Sequence, residues 1–286
     1  MHGIATTSGI VYGDGAWHAG NPALLGPRSH GVWMASTVFD GARYFDGVAP
    51  DLEAHCRRAV RSARLMGLAP MVTGEEIAEL AWDGILKFPR RAALYIKPLF
   101  WAEAGFIVPE PESTRFALSL HEAPLPAPTG FTATLSGFRR PARDMAPTEA
   151  KASCLYPNVA RALREAAAKG HDTAVMLDPS GNVAEFAYTN LFLGKDGQVH
   201  TPVPNGTFLN GLTRQRVIGL LRADGVEVIE RTLTVDDLLA ADEVFATGNF
   251  FKVGPCTGFD ARTYPIGALY ERARALYWEF ARDGGV

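Results

Sequence analysis

The chain has 286 residues, enough for one large domain or two smaller ones around a substantial core. Apolar residues make up 47% and charged residues 21%, the balance of a globular protein, and a formal charge of −3 leaves no basic excess to draw nucleic acid or an anionic membrane. Three widely spaced cysteines (Cys56, Cys154, Cys256) argue against a disulfide framework, no apolar run reaches membrane-spanning length, and the opening MHGIATTSG lacks the basic and apolar regions of a secretory signal; together these predict a soluble cytoplasmic protein.

In chain order, IVYGDGAWH (10–18) predicts strand, turn and strand. Residues 37–50 repeat the pattern, with Asp46-Gly47 as a hairpin signal. Leu52, Cys56, Ala59, Ala63 and Met66 then fall on one helical stripe, and Gly67 supplies a stop. Residues 75–88 predict a second amphipathic helix. RAALYIKPLFW (91–101) reads as a buried strand, with Pro98 indicating an edge or a bulge, and RFALSLHEA (115–123) as another strand.

EAPLPAPTG (122–130) carries three prolines and a terminal glycine and predicts a linker between a first domain, 1–121, and a second, 131–286. Beyond it come a strand over 131–138 and a helix over 156–169 whose inner face is Tyr156, Val159, Ala160, Leu163 and Ala167, closed by Gly170. TAVMLD (173–178) and VAEFAYTNLFLG (183–194) flank Pro179-Ser180-Gly181 as a hairpin. A helix over 213–224, the strand VEVIE, the short helix VDDLLAA, the strand EVFATG and a C-terminal amphipathic helix complete the pattern. The hairpins favour an α+β fold with α/β layers in two domains over a doubly wound parallel sheet.

Several chemistries are missing from the sequence. It has no P-loop, no dinucleotide fingerprint, no G-x-S-x-G and no H-x-x-x-H or C-x-x-C, so no metal site is predicted. Four features in the second domain remain. Lys151 stands before a helix, either as a surface lysine or as an amine able to form a Schiff base. Glu185 lies in an apolar strand; turned inward it needs a cationic or proton-sharing partner, turned outward it is an ordinary solvated residue. In FLNGLTRQR, Gly211 permits close backbone approach and the amides of Leu212 and Thr213 open a helix, which suits an anion; the alternative is Thr213 as a simple N-cap. Gly248-Asn249 offers a second pair of donors or a plain loop.

These segments resemble the class IV aminotransferases, the fold-type IV pyridoxal 5′-phosphate (PLP) enzymes, and among them the branched-chain amino acid aminotransferases. The resemblance runs from about Val11 to the C-terminal helix and is strongest over 147–256. PTEAKASCLY resembles the segment bearing the cofactor, which implies Lys151 as the catalytic Schiff-base lysine and Tyr156 as a partner of the cofactor's phenolic oxygen. VAEFAYTNLF resembles the E-x-x-x-x-N-[LF]-F strand and implies Glu185 as partner of the pyridine nitrogen. LNGLTR resembles L-P-G-[IL]-T-R, placing Leu209, Leu212 and Thr213 around the phosphate. HCRR resembles the H-x-x-R helix and implies Arg58 as a phosphate ligand; ADEVFATGN resembles the strand that ends in a further donor pair, here Gly248 and Asn249.

The resemblance implies amino transfer from a branched-chain or other hydrophobic L-amino acid to 2-oxoglutarate or another keto acid. VFDGAR and YIKPLF resemble substrate-pocket motifs and imply Phe39, Gly41, Arg43, Tyr95 and Lys97 in the pocket, joined by Met34 and Phe250. Lys97 stands in place of an arginine, Met34 in place of a tyrosine, Asn249 in place of a threonine, and Phe250-Phe251 in place of alanines. A D-amino acid or (R)-selective amine transaminase, or an aminodeoxychorismate lyase, is the alternative on the same fold. EAGFIVP (103–109) resembles a segment that reaches a neighbouring subunit, which implies a homodimer.

Overall fold

The structure, a computed structural model, describes residues 8–284. Residues 1–7, which carry most of the signal-peptide argument, lie outside the described residues. Among the described residues no helix is long and apolar enough to cross a membrane, and all three cysteines are free. Packing divides the chain into two compact units; it passes from the first to the second between Leu125 and Pro126, residues 281–284 at the end of the last helix are grouped with the first, and Glu149–Cys154 belongs to the first as well. The sequence puts that short segment in the second domain. It joins the first because Val38 forms an antiparallel bridge with Ala152, and Phe39 N and Ser153 N bond to the carbonyls of Lys151 and Thr37.

The first unit holds β1 (Gly9–Gly13), β2 (Ala16–Ala19), α1 (His30–Trp33), β3 (Val38–Phe39), β4 (Ala42–Tyr44), α2 (Leu52–Leu65), α3 (Gly74–Ile85), β5 (Leu94–Ala102) and β6 (Thr114–Glu122). The sheet order is β2-β1-β6-β5-β3, with β4 also on β5. Asp14 and Gly15 both have positive φ, the requirement of the tight turn joining β1 to β2. The expected hairpin over 37–50 takes another form. Asp46-Gly47 closes only a Phe45–Val48 bridge, and β3 and β4 each pair with β5. Pro98 is therefore neither on an edge strand nor at a bulge of its own strand. It faces the Asp40-Gly41 break between β3 and β4, where Asp40 N bonds to its carbonyl and no partner needs the N–H that proline lacks. α2 buries Leu52, Cys56, Ala59 and Ala63 against this sheet, as its stripe predicts.

The second unit runs β7 (Phe131–Leu135), α4 (Tyr156–Ala168), β8 (Thr173–Leu177), β9 (Val183–Phe186), β10 (Asn190–Lys195), β11 (Gln198–Pro202), α5 (Leu212–Ala223), β12 (Val228–Arg231), α6 (Val235–Leu239), β13 (Glu243–Gly248), β14 (Lys252–Phe259), β15 (Arg262–Thr263) and α7 (Ala268–Arg282). The sheet order is β12-β11-β10-β13-β14-β7-β8-β9, with β15 on β14. Its pairings are mixed, with β11–β12, β14–β7 and β7–β8 parallel, so the fold is α+β as expected. α4 turns a different face inward from the one predicted. Val159, Ala162 and Ala166 are buried while Ala167 is exposed, because the small alanines let the helix sit close on β8.

The predicted strand 183–194 is broken. Residues 187–189 bend between β9 and β10, and Phe186 N bonds to Thr189 O at 2.9 Å. In a continuous strand, residues 185 and 190 would lie about 16 Å apart on opposite faces. The bend instead brings Asn190 Nδ2 to 3.3 Å from Glu185 Oε2.

Candidate active site

In the first unit, Lys151 rides on a segment docked against β3. Its amide donates to Ser62 Oγ on α2 at 3.1 Å, and its carbonyl accepts from Phe39 N at 3.1 Å. The backbone is thus pinned on both sides while the side chain is half-buried, with Nζ 5.1 Å from the centre of the Phe39 ring. Ser62 was not a sequence candidate. It shares a face of α2 with His55 and Arg58, at spacings of three and four residues, beside the apolar stripe.

Arg58 is buried and held by a forked pair to Asp40: Nε to Oδ2 at 2.6 Å and Nη2 to Oδ1 at 2.9 Å. His55 Nδ1 lies 2.7 Å from Asp40 Oδ1, and Gly41 N donates to the same oxygen at 2.7 Å. Burial alone would raise the Asp40 carboxyl, but the charges and hydrogen bonds of Arg58 and His55 hold it well below the usual carboxylate range. Asp40 is the residue that motif reading passed over, although its signal was present as the acid of VFDGAR. Asp40→Asn should destabilise the protein by about 3–5 kcal/mol in chemical denaturation, since it removes the charge of one partner of a buried, forked carboxylate–guanidinium pair. The folded value is depressed, so the stabilisation is complete above the ordinary 3.8 and is lost as pH falls toward the lower folded value. A loss under about 1 kcal/mol would contradict this account of the pair.

Phe39, Arg43, Tyr95 and Lys97 share one sheet face, by the register of β3 and β4 on β5. Arg43 lies over the Tyr95 ring at 5.6 Å and donates to Ala123 O at 2.8 Å; burial draws its guanidinium down to about 10, against the Tyr95 phenol, which raises it. Lys97 Nζ lies 5.9 Å from the Phe39 ring centre, and burial lowers its pKa. His121 was not predicted. It stacks on Tyr95 at 5.4 Å, and burial, then Lys97 and Arg43, push its imidazole down. A cavity of about 280 Å³ opens beside Lys97, Ser119 and His121. Gly41 is buried next to Asp40, and Met34 ends α1, half-buried.

In the second unit the predicted residues gather around Asn190. Glu185 is turned inward and is only 6% exposed. Its Oε1 lies 3.2 Å from Arg140 Nε and its Oε2 accepts from Asn190 Nδ2. The cation expected for an inward carboxylate is therefore Arg140, from the Arg139-Arg140 pair after β7, which sequence reading did not single out. Asn190 Nδ2 also donates to Leu209 O at 3.0 Å. α5 opens on Gly211 with no side-chain cap, so Thr213 is not the N-cap but lies buried inside the first turn. A Cβ on Gly211 would stand 2.2 Å from Asn190 Oδ1, so only glycine allows this approach. Arg214 anchors the helix start through Glu230, Pro202 O and Asn210 Oδ1. Thr247 pairs in register with Asn190, and a Cβ on Gly248 would meet Thr189 at 2.7 Å, so the end of β13 packs tightly on the same bend. Tyr156 opens α4, half-buried. Phe250 is half-exposed and meets the Tyr188 ring edge-on at 6.1 Å.

Two α+β units, one presenting a pinned lysine, the other a cation-paired glutamate beside an uncapped helix start, define a fold-type IV enzyme. The family model for class IV amino-transferases matches residues 37–259. An aminotransferase from Brucella abortus, solved with the co-factor PLP, is 51% identical over 96% of this chain and 99% of its own, with a TM-score of 0.95. A branched-chain aminotransferase from the archaeon Thermoproteus uzoniensis, solved with norvaline, is 27% identical over 97% of this chain and 96% of its own, with a TM-score of 0.89. The branched-chain-amino-acid aminotransferase of Pseudomonas aeruginosa is 30% identical over 96% of this chain and 94% of its own. The chain belongs to the class IV aminotransferases and is a transaminase.

Proposed function

We propose that this chain transfers the amino group of a branched-chain or other hydrophobic L-amino acid to 2-oxoglutarate, with PLP as cofactor. The residues fit that cofactor. The uncapped first turn of α5 and the Thr213 hydroxyl form a donor set suited to a phosphate. When bound, PLP supplies an aldehyde that takes up an amine and a ring that absorbs the electrons released at the substrate α-carbon.

The chain's own residues do the rest. Lys151 Nζ would be the amine that holds the cofactor's aldehyde and, when free, the base and then the acid that moves the α-proton. Glu185, paired with Arg140, would keep a proton on the ring nitrogen. The Tyr156 hydroxyl would bond the ring oxygen. Arg58, Leu209, Leu212, Thr213, Gly248 and Asn249 would hold the phosphate.

One observation carries the substrate assignment: the Phe39 ring lies against both Lys151 Nζ and Lys97 Nζ. The ring offers apolar surface to a hydrophobic donor, and Lys97 beside it offers a cation to the second carboxylate of 2-oxoglutarate. In single-turnover spectra of the holoenzyme, L-leucine, L-isoleucine or L-valine should convert the cofactor faster than D-alanine or an (R)-amine such as (R)-1-phenylethylamine. Faster conversion by either of the latter would overturn the substrate assignment, and pyruvate release from aminodeoxychorismate without a keto acid would mark a lyase.

The assembly we propose is a homodimer. Phe106, Ile107 and Val108 are 70%, 66% and 74% exposed, and Trp33, half-exposed, lies 5.8 Å from the Phe106 ring. An apolar cluster of this kind on a monomer calls for a covering surface. Sedimentation equilibrium should return twice the chain mass; a single-chain mass at micromolar concentration would contradict the dimer. The free cysteines suit a reducing cytoplasm.

A further inference from the structure

Lys252 opens β14 and is fully buried, at 0% exposure. Its φ of 63° is left-handed, a conformation that L side chains seldom adopt. A buried ammonium needs polar partners, and one is fixed: Nζ donates to Asn249 Oδ1 at 2.9 Å. An ammonium has donors and no acceptor, so this contact decides the orientation of the amide. The oxygen of Asn249 faces the lysine and its NH₂ group is turned away. Asn249 directly follows Gly248, the residue packed on Thr189, and β13 is bonded to β10 through the Asn190–Thr247 pair.

We propose that Lys252 is a positioning residue for the cofactor phosphate: it orients the Asn249 amide so that its NH₂ donates to a phosphate oxygen. This rests on the role proposed above for Asn249. A hydroxyl at that position rotates to suit its partners, whereas an amide turned the wrong way presents its oxygen to the phosphate and repels it. The lysine removes that choice.

The test is a spectroscopic titration of the full-length apoprotein with PLP and, separately, with pyridoxal, which lacks the phosphate. Lys252→Met should weaken PLP binding on the order of tenfold, the scale of one hydrogen bond to a charged group, and leave pyridoxal binding within about twofold. Asn249→Ala should do the same, and the double variant should bind PLP no more weakly than Asn249→Ala alone. Lys252→Gln, which keeps a donor, should recover part of the affinity. The proposal is overturned if Lys252→Met binds PLP like the parent, if it loses PLP and pyridoxal affinity equally, or if the two single losses multiply in the double variant. Should Lys252→Met fail to fold, Asn249→Ala decides: undiminished PLP affinity leaves nothing for the lysine to position. A parent protein that takes up no PLP would overturn the proposed function itself, whereas normal uptake with an unaffected Lys252→Met variant overturns only this inference.

Discussion

Replacing Lys151 with alanine should reduce turnover to background, a loss on the order of a millionfold, the scale for removing a covalent nucleophile. The structure makes this a clean experiment. The segment is held through backbone bonds to Ser62 Oγ and Phe39 N, neither of which involves the lysine side chain, so fold and melting temperature should be retained. Lys151→Arg should be equally inactive, because a guanidinium stays protonated and cannot add to an aldehyde. Added methylamine should restore a small fraction of proton transfer in Lys151→Ala and none in the parent. An alanine variant within about tenfold of the parent in steady-state assays would remove Lys151 from the chemistry.

Glu185→Gln should lower the rate on the order of a hundredfold at saturating PLP, as when a preorganised electrostatic partner is lost. Glutamine has the same shape and can still accept from Asn190 Nδ2, but it leaves Arg140 facing a neutral amide. The variant should therefore also lose stability, and that loss must be separated from the kinetic one. Measuring kcat well below the melting transition separates them. A fall of less than about tenfold in kcat would show that the charge of Glu185 is not used in the reaction.

The candidate residues were picked out by motif, and a few of them also carry a local signal. Gly211 is a glycine because Asn190 Oδ1 occupies the space of a Cβ, and a glycine opening a helix is visible in sequence. Lys151, Glu185, Leu212 and Thr213 stood out through their resemblance to family motifs, since local pattern alone left open a surface lysine, a solvated glutamate and an ordinary cap. The partners did not. Arg140 meets Glu185, and Asp40 meets Arg58, across 45 and 18 residues of chain, and nothing in local periodicity connects them. The break at 187–189 was hidden by its apolar run, which reads as one continuous strand. β11 was missed although Asp196-Gly197, both with positive φ, marks its hairpin as plainly as Asp14-Gly15 marks the first. Pro98 misled because a proline is read against its own strand, whereas the gap that accommodates it lies in β3 and β4.

The most direct measurement is reduction of the purified holoenzyme with borohydride, followed by proteolysis and mass spectrometry. The account predicts one pyridoxyl phosphate group fixed to the peptide that contains Lys151. Fixation on a different lysine, Lys97 or Lys252 included, or no fixation in a protein that holds PLP, would contradict it.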